Sequence, residues 1–367
     1  MPHAALLAGL PEALLVKPSL ETIAEKAGVS IATVSRTLND RAGVNPDTRE
    51  RILAIARDMG YMPNVAAKGL ATSRTYTLGL IIYDRAPQQP ICNFPDETMQ
   101  GIDQEAREHG YHIITTFVNP TMMQDALRLP IIGEQRTDGV ILVGPELKAS
   151  FIIQLSNSGI PIILIDNLLN ETQTDAILCD NVSGSYSITR HLIAAHDKRN
   201  LAFFSGPADW LSSRERRQGY EKALAEIGQP PCVVYIEDTT MHFGYKAMRE
   251  ALGRFPDLEG VVAVNDATAF GAIRACKESG VRVPEDMAVV GFDNVGWAPL
   301  HDPPLTTVRI PWREIGVQAA RRLIDRIERG ASASFHLRIG TELKVRQSCG
   351  CVPDDRDEAG ATPVPHR

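Results

Sequence analysis

Residues 19–39 read SLETIAEKAGVSIATVSRTLN, and they decide how the rest of the chain is read. Ser19 stands where an N-cap would, with Thr22 three residues on, ahead of a helix of about two turns. Leu20, Ile23, Ala24 and Ala27 fall at helical spacing on one face. Gly28 breaks that helix. Ser30 caps a second one over Ile31–Leu38, with Val34 and Leu38 as its inner face. A third begins at Pro46-Asp47 and runs to near Met59, with Ile52, Leu53, Ile55 and Ala56 as its apolar side. Two short helices joined by a glycine turn, with the small Ala24 where they would cross, make a helix-turn-helix.

In such a unit the second helix enters the major groove and its first residues meet base edges. Here those residues are Ser30, Ile31, Ala32, Thr33, Ser35 and Arg36. Arg36 can bind guanine O6 and N7 together, whereas Ile31 and Ala32 offer only apolar contact, for example to a thymine methyl. Ser19, Thr33, Ser35, Asn39, Thr48 and Arg49 are donors placed to reach phosphates, which position a head without reading sequence. The same spacing also suits a plain three-helix bundle with a solvated polar face. Charge favours the nucleic-acid reading. The chain carries −7 overall, but residues 17–74 hold nine Lys/Arg and six acids, so this +3 segment sits on a remainder of −10. A small basic head on a larger acidic body is the asymmetry expected when only the head meets phosphates.

The pattern A-x-x-A-G-V-S-x-x-T-V-S-R-x-L-N over residues 24–39, followed by G-Y-x-P-N-x-x-A over 60–67, resembles the DNA-binding head of the LacI/GalR (lactose-repressor/galactose-repressor) family. From the residues themselves, Asn64 can cap a short helix over Val65–Leu70. Gly69 weakens it by about 1 kcal/mol against alanine, and so short a helix does not hold alone in water. The resemblance implies that two such segments of a dimer pair in the minor groove, with Ala67 at the close-packed position and Leu70 wedged into a base step. Lys68 replaces the arginine most common there but keeps the charge.

From Thr77 onward apolar strand-like runs alternate with amphipathic stretches. The runs are Leu78–Tyr83, His112–Val118, Gly139–Gly144, Pro161–Asp166, Ala176–Asp180, Leu201–Gly206, Cys232–Glu237, Gly260–Asp266, Ala288–Asp293, Thr306–Ile310 and Leu337–Val345. Helical stretches between them include Met99–His109, Ser187–Ala195, Arg217–Ile227 and Phe270–Ser279. Such alternation means an α/β class with parallel sheets covered on both faces, and about eleven strands suggest two sheets rather than one. Ligands in open α/β folds sit beyond the carboxyl ends of strands. Those ends carry Asp84, Gly144, Asp166, Gly206, Asn265-Asp266 and Gly291-Phe-Asp293-Asn294, with Phe94, Trp210, Phe292 and Trp297 nearby. Carboxylates, amides and aromatic rings together suit a small polyol, although Asp and Asn at such places also serve as helix caps. No G-x-G-x-x-G follows a strand, and no G-x-x-x-x-G-K-[ST], H-E-x-x-H or G-x-S-x-G occurs.

The stretch VNDATAFGAIRACKESGVRVPEDMAVVGFDN over residues 264–294, with PPLTTVRIP over 303–311, resembles the effector domain of the same family, which is similar to two-lobed (type I) periplasmic sugar-binding proteins. The resemblance carries ligand contacts onto Arg216, Asn265 and Asp293, with Asp166 a weaker match and Trp210 and Trp297 as stacking candidates. It implies an N-terminal extension (1–16), a helix-turn-helix domain (17–63), a hinge (64–75) and an effector domain (76–348). One lobe would hold about 76–180 and 305–335 and the other about 181–304 and 336–348, with crossovers near Asp180, Leu305 and Phe335. A polar tail over 349–367 is expected to be disordered.

The protein is therefore read as a transcriptional repressor. It would bind a near-palindromic operator as a homodimer, and a mono- or disaccharide between its lobes would control it. A purine or other non-sugar effector is the alternative within that class, and Arg216 would suit an acidic ligand as well. A periplasmic-type solute binder and a sugar-metabolising enzyme are the alternatives outside it. The head speaks against the first and the absent catalytic motifs against the second. No apolar run approaches the ~20 residues of a membrane span, and the first residues lack the basic stretch of a secretory signal. A cytoplasmic protein is expected. The six cysteines are scattered, Cys349-Gly-Cys351 is not a C-x-x-C spacing, and no histidine pair stands at metal-binding spacing near a carboxylate. Reduced thiols, no metal and no cofactor are expected.

Overall fold

The computed structural model describes residues 18–38, 41–61, 74–84, 94–169, 173–330 and 333–352. The chain divides into two compact units, Met1–Thr75 and Tyr76–Arg367.

In the first unit α1 spans Leu20–Ala27, α2 Ile31–Leu38 and α3 Pro46–Asp58. Ser19 and Thr22 form a capping box: the Thr22 N–H donates to Ser19 Oγ at 3.3 Å and the Ser19 N–H to Thr22 Oγ1 at 2.9 Å. Gly28 takes the left-handed φ of 62° that ends α1, and the Val29 N–H closes the cap on Ala24 O at 3.1 Å. Ile23, Ala24, Ala27, Val34, Ile52 and Ala56 are the buried core. Leu53, expected on the apolar side of α3, is instead 37% exposed. It lies one residue, about 100° of helical turn, beyond the buried Ile52.

The second unit holds two parallel sheets. The first has the order β11-β5-β4-β3-β1-β2, built from β1 (Thr77–Tyr83), β2 (His112–Val118), β3 (Gly139–Val143), β4 (Ile162–Ile165), β5 (Asp175–Cys179) and β11 (His336–Ile339). The second has the order β7-β6-β8-β9, from β6 (Leu201–Ser205), β7 (Cys232–Tyr235), β8 (Gly260–Ala263) and β9 (Ala288–Val290). A short antiparallel pair, β10 (Thr307–Arg309) with β12 (Glu342–Lys344), joins the edge beyond β9 through bridges Val290–Thr306 and Asp293–Arg309. The central strands β3, β4, β5, β6, β8 and β9 are buried along their whole length, as sheets covered on both faces require. The covering helices are α4 (Phe94–Glu108), α5 (Ala149–Asn157), α6 (Asn181–His196), α7 (Leu211–Ala225), α8 (Met241–Arg254), α9 (Asp266–Glu278) and α10 (Trp312–Arg329). Gly101 and Gly316 lie where α4 and α10 touch backbone to backbone, with no room for a Cβ. The fully buried Asp175 ties α10 to β5 through Arg322 Nε at 2.5 Å and Arg326 Nε at 2.7 Å.

Three expectations change. Leu337–Val345 is two strands, β11 and β12, broken at Gly340-Thr341, because the chain passes there from one sheet to the other. The lobes exchange segments accordingly. Residues 305–309 pair beside β9 in the second lobe and His336–Ile339 pair with β5 in the first, so the later crossovers fall near Pro311 and Gly340 rather than Leu305 and Phe335. The body also extends past 348. Cys349 is buried and Cys351 partly so, so Cys349–Cys351 belongs to the packed unit and not to a disordered tail. Residues 1–17 and 353–367 lie outside the described residues. No helix among the described residues is long and apolar enough to cross a membrane.

Candidate functional site

Arg216 is the centre of the body's charged cluster. Helix α7 carries it inward, 5% exposed, toward the carboxyl ends of β8 and β9. Its Nε donates to Asn181 Oδ1 at 2.9 Å and its Nη1 to Val264 O at 2.7 Å; Nη1 also lies 3.3 Å from Asp293 Oδ1. The guanidinium stacks over the Phe292 ring at 3.9 Å from its centroid. Burial works against the charge. Asp293, then Cys179 and Asp166, outweigh it and hold Arg216 protonated above its ordinary range. The Cys179 thiol, fully buried and near both aspartates, is pushed well up by burial, with Arg216 pulling the other way.

A second layer holds these groups in place. Asn181 Nδ2 donates to Glu215 Oε2 at 3.0 Å, and Arg338 Nη2, on β11, donates to Glu215 Oε1 at 2.6 Å. This chain runs from α6 through α7 to the first sheet, so it links the two lobes. Asp293 and Asn294 have left-handed φ angles of 114° and 55°, and Asp166 one of 56°. Asp and Asn tolerate the left-handed region near 55°, but the 114° of Asp293 lies beyond it and has to be held by surrounding contacts. For the Asp293 loop those contacts centre on the fully buried Asp266. It accepts from the Val295 N–H at 2.8 Å and from Thr307 Oγ1 at 2.5 Å. Burial, then the Asp293 charge, pushes the Asp266 carboxyl well above the usual carboxylate range.

The structure thus brings Asp166, Arg216 and Asp293 together. Asn265 caps α9, accepting from the Thr268 N–H at 2.9 Å and donating to Thr239 O at 3.0 Å, so part of its amide serves the fold. Trp210 opens α7, six residues before Arg216, and is half-buried. Trp297 is 59% exposed, four residues beyond Asp293. The sequence reading did not single out Asn181, Glu215 or Arg338. Asp266 was noticed as a strand-end carboxylate but not as the residue that shapes the loop.

In the first unit, Ser30 caps α2: the Thr33 N–H donates to Ser30 Oγ at 3.2 Å, and the two hydroxyls lie 2.9 Å apart. Ile31, Ala32 and Arg36 are exposed, with Ile31 46% open despite being apolar. Ala32 and Arg36 are four apart on one helix, as are Ile31 and Ser35, so their side chains share a face. Ser19 spends its hydroxyl on the capping box of α1. Thr48 and Arg49 are half-buried near the start of α3, and Arg49 Nη2 donates to Arg41 O at 2.6 Å. Asn39, Asn64, Ala67 and Leu70 lie outside the described residues.

Known proteins share both units. Residues 75–347 match the family described as periplasmic binding proteins and sugar binding domain of LacI family. Residues 19–64 match bacterial regulatory proteins, lacI family. The chain is 34% identical over 336 residues to the HTH-type transcriptional regulator CelR of Thermobifida fusca, across 90% of this chain and 98% of that protein. It is 30% identical over 338 residues to the HTH-type transcriptional repressor CytR of Escherichia coli K12, across 91% and 97%. Among solved structures, a CelR–cellobiose complex aligns with a TM-score of 0.68 at 32% identity, covering 90% of this chain and all of that one. The lac repressor dimer bound to operator and the anti-inducer ONPF aligns at 0.76 and 26% identity, covering 91% and 99%.

Proposed function

The chain belongs to the LacI family of bacterial regulatory proteins, and on that premise we propose which of its residues read DNA and which sense the effector. It is a DNA-binding transcription regulator with an effector-binding body, in a family of regulators rather than enzymes. Ser30, Ile31, Ala32, Thr33, Ser35 and Arg36 read base edges, with Arg36 as the residue suited to guanine. Ser19, Thr33, Ser35, Asn39, Thr48 and Arg49 position the head on phosphates. Two subunits present two heads to a near-palindromic site, as the two-fold symmetry of a dimer implies. A regulator of this kind acts in the cytoplasm, where the DNA is.

The effector is a mono- or disaccharide held by Arg216 and Asp293, with Asp166 on the facing lobe, Asn265 beside them and Trp210 and Trp297 at the rim. The buried Arg216–Asp293 pair is the observation that carries this reading. It is a fixed cation with a carboxylate beside it that is more open, 16% against 6%. Such a pair grips vicinal hydroxyls by donating to one oxygen and accepting from the next. The similarity to a regulator solved with cellobiose supports a sugar. Residues 64–75, including Asn64, Ala67 and Leu70, form the hinge. Effector binding changes whether two hinges can pair, a coupling of about 1–3 kcal/mol that is reciprocal between sugar and operator.

A thermal-shift screen of mono- and disaccharides on the full chain tests the reading, because a ligand held by the folded state raises its melting temperature. Asp293→Ala is expected to abolish the shift given by the active sugar while leaving operator affinity in place. A variant that still responds fully removes Asp293 from the site.

A further inference from the structure

Helix α6 and the end of the described chain share a feature that neither DNA reading nor effector binding uses. His191 and His196 lie on the last turns of α6; Cys349 and Cys351 lie in the segment after β12. One ligand atom from each falls within 4.8 Å of all the others. His191 Nε2 is 3.4 Å from Cys349 Sγ and 3.6 Å from Cys351 Sγ, and His196 Nε2 is 3.3 Å from Cys351 Sγ. Around a tetrahedral metal with Zn–S near 2.3 Å and Zn–N of 2.0–2.1 Å, neighbouring ligand atoms stand roughly 3.3–3.8 Å apart. These three separations have the length of the edges of such a tetrahedron.

The surroundings hold the four residues in this arrangement. Ser348 Oγ donates to Val289 O at 2.6 Å and accepts from the Thr306 N–H at 2.9 Å, which fixes the chain just before Cys349. Thr306 Oγ1 donates to Cys349 Sγ at 3.1 Å, the outer contact that orients a metal-bound thiolate. Gly350 has a φ of 108°, and a Cβ there would come within 3.1 Å of His196 Nδ1. Glycine therefore lets the Cys349-Gly-Cys351 turn close over the imidazole. The two histidine rings meet edge to face at 5.1 Å. Thiols and imidazoles alone make only weak hydrogen bonds across such a cluster, whereas an S2N2 set with tetrahedral spacing is the donor set of zinc.

We propose that His191, His196, Cys349 and Cys351 bind a structural zinc-class divalent ion that pins the end of the body onto α6. Binding forms two metal–thiolate and two metal–imidazole bonds and releases the two thiol protons to solvent.

The test uses reduced, untagged full-length protein stripped with EDTA and titrated with Zn2+, and in parallel with Co2+. The expected result is one equivalent per chain. The cobalt form should show tetrahedral d–d absorption with a thiolate-to-metal charge-transfer band, and zinc should restore a melting temperature that EDTA lowers by several degrees. Cys351→Ser and His196→Asn should each weaken binding by at least about tenfold. A cobalt spectrum without the thiolate band overturns the proposal, as does unchanged zinc affinity in both variants. Quantitative Cys349–Cys351 disulfide in protein that takes up no zinc after reduction also overturns it. Should a variant fail to fold, the cobalt spectrum of the unmodified chain decides alone.

Discussion

On α2 of the head, the residues put forward as reading DNA are Ser30, Ile31, Ala32, Thr33, Ser35 and Arg36; none of them is buried, and that access to solvent is what fits them for the role. Around Arg216 of the body, the groups come from Asp166, Cys179, Asn181, Val264 and Asp293, and most of them are buried. The first arrangement needs only one capped helix held against two others. The second exists only once two sheets are in register and the chain has crossed between them. A substitution on the head's face should therefore change recognition without changing stability. In the body cluster, a substitution should change both.

The largest effect that can break this contrast is at Arg216. Arg216→Met keeps the apolar stem over Phe292 but removes the guanidinium that donates to Asn181 Oδ1 and Val264 O and pairs with Asp293. Removing one partner of a buried ion pair costs about 3–5 kcal/mol, read as a lower denaturation midpoint for the body. A loss below about 1 kcal/mol, the value of an exposed pair, would show that the cluster is solvated and that the contrast with the head is false. Next comes Ile52→Ala. Among the described residues the head's core has six buried apolar side chains, so deleting most of one should cost about 2–5 kcal/mol. The head is then expected to unfold at a temperature that leaves the body's transition where it was. Joint unfolding of both units would mean that they do not melt separately.

Arg36→Ala sharpens the contrast from the other side. It should leave both transitions unmoved while costing about 1–3 kcal/mol of discrimination at one operator position, measured against a panel of single-base variants. Equal weakening on every sequence would make Arg36 a phosphate contact and not a reader of bases.

The same contrast explains what was legible in the sequence. The helix boundaries of the head and the strands of both sheets follow from caps, glycines and apolar runs, which are local signals. Asn265 was legible as a strand-end amide, yet its cap of α9 and its bond to Thr239 O depend on what packs beside it. The assignment of 305–309 and 336–339 to lobes was read the wrong way round. Short apolar strands of like character can pair with either sheet, and the break at Gly340-Thr341 lies inside a run whose alternation continues unbroken. The Glu215–Asn181–Arg338 network has no local spacing, and in the His191, His196, Cys349 and Cys351 cluster the histidine pair and the cysteine pair are far apart in sequence. Cys349 stands 158 positions from His191, and only the path of the second lobe's chain brings them within reach.

The smallest effect separates two neighbours on one helix. Leu53 has the same apolar chemistry as Ile52, but it is 37% exposed where Ile52 is fully buried. Leu53→Ala leaves no cavity, and alanine is the better helix former, so the change in head stability should stay within about 0.5 kcal/mol, as for most surface substitutions. The Arg57 side chain donates from Nε to the backbone carbonyl of residue 53, so that bond survives the change. Calorimetry of the head transition in both variants gives the comparison directly. A Leu53→Ala cost approaching that of Ile52→Ala would mean that something covers this side chain in solution. The face of α3 around it would then be a contact surface and not the solvent side of a three-helix head.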